Sequence, residues 1–153
     1  MKKLYGLMET LLQEKESFVV ATIFDKTGSA PRTAGAKMVV RADGSIAGTI
    51  GGGRLEAEAI NLAKEVLRLK QTRLQSFDLT SRDAAGMDMI CGGKGEILLD
   101  YIDAGDENNR LVYQAAAEIL ERREKAWLVT ILDSVPGNAG LVRQQCLVKP
   151  DGS

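Results

Sequence analysis

The spacing of apolar residues changes along the chain, and each change marks an element. Leu4, Leu7, Met8, Leu11 and Leu12 recur three and four apart, with Glu9, Gln13, Glu14 and Lys15 elsewhere. That period predicts an amphipathic helix over residues 3–16. Phe18 to Phe24 is an unbroken run of β-formers and reads as a buried strand. Residues 28–35 read as loop. Ala36 to Arg41 and Ser45 to Ile50 read as strands joined by the Asp43-Gly44 turn. Leu55, Ala59, Leu62, Ala63, Val66, Leu67 and Leu69 return to helical spacing and predict a helix over 54–70. Strands are expected at Leu74 to Leu79 and Glu96 to Ile102, with an irregular segment at 80–93. After a polar helix entry at 105–109, residues 109–124 read as an amphipathic helix. Trp127 to Leu132 and Leu141 to Val148 close the series as strands around the 136–140 loop. The pattern is that of an α/β domain: a mixed β-sheet flanked by helices.

The chain also echoes itself. A gap-free shift of 108 positions lays Tyr5, Leu12, Glu16, Thr22, Ile23, Asp25, Asp43, Gly44 and Ser45 on Tyr113, Leu120, Glu124, Thr130, Ile131, Asp133, Asp151, Gly152 and Ser153. Both segments read helix, strand, loop, strand, Asp-Gly-Ser turn. An internal pseudo-repeat is one reading; coincidence between two similar helix–strand–hairpin segments is the other. A turn such as Asp151-Gly152 is normally followed by a strand, so 1–153 reads as the front part of a longer protein. The strand at 141–149 reads as an open edge that invites self-association.

Charge and composition narrow the chemistry. The 153 residues suit one domain, and 20 Lys+Arg against 21 Asp+Glu give no domain-wide basic field for nucleic acid. The chain has no histidine, which excludes a Ser-His-Asp triad, a Cys-His pair and any His-ligated metal site within it. The 2 cysteines, Cys91 and Cys146, are too few for a disulfide scaffold and point to a reducing cytoplasm. No apolar run reaches the ~20 residues of a membrane span. The N-terminus lacks a signal peptide's apolar core.

Candidate chemistry gathers between residues 28 and 56. Gly48-Thr49-Ile50-Gly51-Gly52-Gly53-Arg54-Leu55-Glu56 runs from a strand into a helix start. It is neither a Walker loop nor the dinucleotide fingerprint, since Gly-Lys-Ser/Thr is missing and Glu56 stands at the third glycine position. The physical logic is shared with both: side-chain-free backbone, a helix N-terminus and the Arg54 guanidinium favour an anion. The alternative is a strand-to-helix turn that needs glycine only for positive φ. Glu56 in the first helical turn favours the helix dipole, and that alone accounts for it. Ser29-Ala30-Pro31-Arg32 offers a hydroxyl and a guanidinium on a stiffened loop, and by itself is an ordinary solvated loop. Lys37 adds a further cation. Cys91-Gly92-Gly93 presents a sterically open thiol that suits a soft metal or sulfur transfer, or else a small buried apolar residue. Cys146 lies within an apolar strand pattern and reads as structural. The 136–140 loop of the second segment has neither Arg32 nor Lys37.

Gly28-Ser29-Ala30-Pro31-Arg32 with Gly35-Ala36-Lys37-Met38, Gly48 to Gly53 with Leu55-Glu56, and Cys91-Gly92-Gly93, in this order, resemble the XdhC/CoxI family over roughly residues 1–102. The members of that family are accessory factors for xanthine dehydrogenase and related molybdenum hydroxylases. The resemblance implies a chaperone that binds the molybdenum cofactor (molybdopterin or its nucleotide form), protects it during sulfuration and delivers it to the apo hydroxylase. It implies a helper without clear turnover of its own. Cofactor contacts would come from Ser29, Arg32, Lys37, Gly51, Gly52, Gly53, Arg54, Glu56, Cys91, Gly92 and Gly93. Cys91 would be the metal contact or sulfur relay. A cysteine desulfurase and a second copy of the chain are further expected partners. The C-terminal Rossmann-like domain typical of the family has no counterpart in these residues. Two other readings compete: an enzyme acting on a nucleotide or phosphorylated metabolite at the Gly turn, and a protein-interaction domain whose glycines are structural.

Overall fold

The computed structural model describes residues 1–24, 35–78, 94–137 and 140–153. In chain order these form α1 (Lys2–Gln13), β1 (Phe18–Phe24), β2 (Lys37–Val40), β3 (Ile46–Gly48), α2 (Gly53–Leu69), β4 (Arg73–Asp78), β5 (Lys94–Ile102), α3 (Glu107–Glu121), β6 (Trp127–Ser134) and β7 (Leu141–Val148). They divide into two compact units, residues 19–101 and residues 1–18 with 102–153.

The first unit holds the body of a five-stranded sheet in the order β3-β2-β1-β5-β4. The pairs β1–β2, β2–β3 and β4–β5 are antiparallel. A Cβ on Gly95, at the start of β5, would lie 3.3 Å from the carbonyl oxygen of Phe24, at the end of β1. The central pair is therefore antiparallel as well, which refines the expected mixed sheet. Alternation sends Val19, Ala21 and Ile23 of β1, Met38 and Val40 of β2, and Ile97 and Leu99 of β5 to one face. There they meet Leu55, Ala59, Ala63 and Val66 of α2, a stripe at spacings of four, four and three. The small alanines let helix and sheet approach closely, and all of these side chains are buried.

The second unit packs α1 against α3. The Tyr5 and Tyr113 rings lie 6.1 Å apart, and Phe18 meets Tyr113 edge-on at 6.3 Å. Asp106 caps α3, its side chain accepting from Asn108 N at 2.9 Å. The β6–β7 hairpin forms a separate two-stranded sheet. It is tied to α3 through part-buried hydrogen bonds: Asn108 Nδ2 donates to the Gln145 carbonyl, and Arg143 Nη1 donates to Asn109 Oδ1 at 2.7 Å.

The two helix–strand–hairpin segments share backbone detail. α1 and α3 are followed by non-glycine residues in left-handed backbone, Lys15 at φ 58° and Arg123 at φ 56°. Thr22 pairs with Lys37 across β1–β2, and Thr130 with Gln145 across β6–β7. The turns at Asp43 and Asp151 carry the same bonds: Ser45 N and Oγ donate to Asp43, and Ser153 N and Oγ donate to Asp151.

The left-handed residues explain why both helices stop short of their expected ends. β3 is also shorter than Ser45 to Ile50, because Gly48 at φ 76° turns the chain out of the sheet. The expected irregular stretch at 80–93 and the loop at 28–34 lie outside the described residues.

Candidate functional site

The turn from β3 into α2 is built by its glycines. Gly48, Gly51, Gly52 and Gly53 all have positive φ, at 76°, 117°, 72° and 66°. A Cβ at Gly52 or Gly53 would meet nothing within 4 Å among the described residues. Backbone conformation, and not crowding, is what demands glycine there. All four glycines thus have a local structural reason, the positive φ that the turn alternative calls for.

The amides of this turn already have an acceptor. Glu56 Oε2 accepts from Gly52 N at 2.9 Å, from Ile50 N at 3.3 Å and from Thr49 Oγ1 at 2.6 Å. Thr49 Oγ1 in turn accepts from Gly51 N at 3.1 Å. The first-turn carboxylate of α2 folds back over its own N-terminus, in the manner of a capping box. It satisfies donors that a helix start otherwise leaves unpaired. The negative charge at the turn comes from within the chain. Arg54, one residue into the helix, is exposed.

Lys37 does not share a face with this turn. Its neighbour Met38 pairs with Gly48 and packs under α2, so alternation sends Lys37 to the opposite face of the sheet. There Lys37 Nζ donates to Thr22 Oγ1 at 3.1 Å. Burial pulls its pKa below the usual lysine range, and the Asp100 carboxylate opposes that shift. Asp100 and Thr72 are both buried; Thr72 Oγ1 donates to Asp100 Oδ1 at 3.1 Å and accepts from Tyr101 N at 3.0 Å. The sequence reading missed this polar group. The available signal was Asp100 itself, a carboxylate inside the apolar run Ile97 to Ile102.

The turn thus unites Gly51, Gly52, Gly53, Arg54 and Glu56, while Lys37 stands apart. Ser29, Arg32, Cys91, Gly92 and Gly93 lie outside the described residues. Among the described residues no group of three or more Cys, Asp or Glu side chains is placed to hold a metal. A cavity of about 360 Å³ lies in the second unit, lined largely by apolar side chains including Tyr5, Ile119, Leu120 and Leu147. None of the sequence-named site residues lines it. Among the described residues no helix is long and apolar enough to cross a membrane.

Residues 11–78 match the XdhC and CoxI family. The match includes the Gly48–Glu56 turn and ends before Cys91. The chain is 35% identical over 108 residues to an uncharacterized protein, YqeB, of Escherichia coli strain K12, covering 65% of this chain and 20% of that protein. It is 30% identical over 97 residues to a probable xanthine dehydrogenase subunit of Bacillus subtilis strain 168, covering 63% of this chain and 29% of that protein. A crystal structure from Bacillus halodurans, described as a xanthine dehydrogenase, matches the fold with a TM-score of 0.68 and 27% identity, over 94% of this chain and 41% of that one. The chain spans less than half the length of each of these relatives.

Proposed function

We propose that this chain serves a xanthine dehydrogenase-type molybdenum hydroxylase by holding the molybdenum cofactor before delivery, as an accessory factor. The observation that carries the reading is the family match over residues 11–78, which takes in the glycine turn and its arginine. Relatives described as a probable xanthine dehydrogenase subunit and as a xanthine dehydrogenase support it.

The turn suits the phosphate end of such a cofactor in part. Among the described residues the space above Gly52 and Gly53 is open to an oxyanion, and Arg54 supplies a forked cation. Glu56 holds Gly52 N and Ile50 N, so an incoming phosphate contends with that carboxylate for the same donors. In this proposal Ser29 and Arg32 add contacts to the anion, and Cys91 with Gly92 and Gly93 supplies a thiol near the metal. The cofactor itself, when bound, brings the redox-active molybdenum. A cysteine desulfurase, a cytoplasmic setting and self-association belong to the same proposal.

The test is the small-molecule content of the purified protein, with pterin read by mass spectrometry and molybdenum by elemental analysis. Folded Arg54→Ala and Cys91→Ala proteins are expected to lose most of both. Wild-type occupancy in both variants would overturn the reading. Turnover of nucleotides that is lost in Arg54→Ala, with no pterin bound, would replace it with an enzyme.

A further inference from the structure

The cavity of the second unit has apolar walls and a buried hydroxyl. Leu128 and Leu147, paired across the β6–β7 hairpin, line it from the face that also bears Arg143 and Gln145. In the first hairpin the pair that the 108-residue shift lays on them, Val20 and Val39, is 4% and 0% exposed. Leu128 and Leu147 are only half-buried, because the cavity of about 360 Å³ stands in front of them. Ala116, Ile119 and Leu120 of α3 and Tyr5 of α1 line it as well. Its volume falls within the ~300–1,000 Å³ of small-molecule sites.

Tyr5 is the polar point of this space. The residue is 6% exposed, and its hydroxyl has no hydrogen-bond partner among the described residues. Burial raises its pKa and nothing offsets the rise, so the phenol keeps its proton and stays a donor. A buried donor without an acceptor is costly, and a ligand that brings one removes the cost. Trp127, which is 59% exposed, adds an aromatic surface to the lining. The charged side chains of the lining, Glu124 and Lys125, are exposed and opposite in sign, so no net charge is selected.

We propose that this cavity binds a small, flat aromatic molecule of no net charge with one hydrogen-bond acceptor, the acceptor meeting Tyr5 Oη and the ring lying against Trp127. The aliphatic walls disfavour a charged group, which they would strip of water without a partner. The Tyr5 donor favours a ring with a carbonyl over a plain hydrocarbon. The site shares no residue with the glycine turn and does not depend on what that turn binds.

Prodan, an uncharged naphthalene that carries a ketone, is a suitable probe. Titrated into the chain, it is expected to bind at a single saturable site, with blue-shifted emission and energy transfer from Trp127, the sole tryptophan. Tyr5→Phe keeps the ring and deletes the donor. With the parent's near-ultraviolet circular dichroism retained, it is expected to bind prodan about tenfold more weakly. Ala116→Phe fills the space from α3 and is expected to abolish saturable binding. Leu111→Ser, on α3 but 52% exposed and outside the lining, is expected to bind as the parent does. Absence of saturable binding to the parent would overturn the proposal. So would affinity that Tyr5→Phe leaves unchanged. Binding that Ile131→Ser removes and Ala116→Phe does not would overturn it too, since the dye would then sit on the exposed outer face of β6.

Discussion

Gly52 donates its amide proton to the Glu56 carboxylate at 2.9 Å, so α2 begins against an anion from its own first turn. A turn expected to wait for a ligand is already closed electrostatically. Under the proposed function, anion binding and stability therefore pull on one side chain.

Glu56→Ala removes the acceptor of Gly52 N, Ile50 N and Thr49 Oγ1 together. A loss of about 1–2 kcal/mol is expected. For a chain of this length that lowers the melting temperature by roughly 2–8 °C, read by thermal denaturation followed by circular dichroism. In the opposite direction, the variant is expected to gain more stability from added inorganic phosphate than the parent does. An unchanged melting temperature would show that the carboxylate does not hold the turn.

Gly52 has φ 72° and no described neighbour within 4 Å of an added Cβ, so a methyl there is strained without a clash among the described residues. With ψ at −167° this backbone is open to glycine and not to asparagine, whose tolerance is for the left-handed helical region, so Gly52→Ala and Gly52→Asn are both expected to cost about 1–3 kcal/mol in urea unfolding. A Gly52→Asn protein as stable as the parent would contradict this.

Lys37 ties stability to pH. Its pKa is lowered in the folded chain, chiefly by burial, with Asp100 acting the other way. Between that lowered value and the ordinary lysine value, the unfolded chain binds more protons than the folded one. Stability contributed by this group thus rises with pH through that window and levels off above it. Lys37→Met is expected to remove this rise. The check is the difference in unfolding free energy between parent and variant across mildly to strongly alkaline pH, where a difference that stays flat would contradict it.

Thr72 bridges β5 with one hydroxyl, donating to Asp100 and accepting from Tyr101 N. Thr72→Val keeps the shape and deletes both bonds. A loss of about 1–3 kcal/mol is expected in urea unfolding, and Thr72→Ser is expected to recover most of it.

The elements were the legible part, because apolar period is a local property. Phe18–Phe24 and Leu141–Val148 have the ends that the sequence implied, and α2 follows its Leu55-Ala59-Ala63-Val66 stripe. The site was harder. Grouping Lys37 with the glycine turn used nearness in sequence, yet Met38 beside it is an inward strand residue and sends Lys37 the other way. The role of Glu56 depends on a side chain folding back along its own helix, which charge at the helix start permits but does not require. The partnership of Thr72 and Asp100 spans 28 residues and a strand pairing, so no local pattern announces it.

Gly95 and Phe77 face each other across β4 and β5, and a Cβ on Gly95 would come within 2.6 Å of the Phe77 ring. The bareness of one strand is the room the ring on the other occupies. The two sites are therefore not free to drift separately: gain of bulk at 95 has to be matched by loss of bulk at 77. Among descendants of this chain the pair should be inherited as a unit, small with large or large with small.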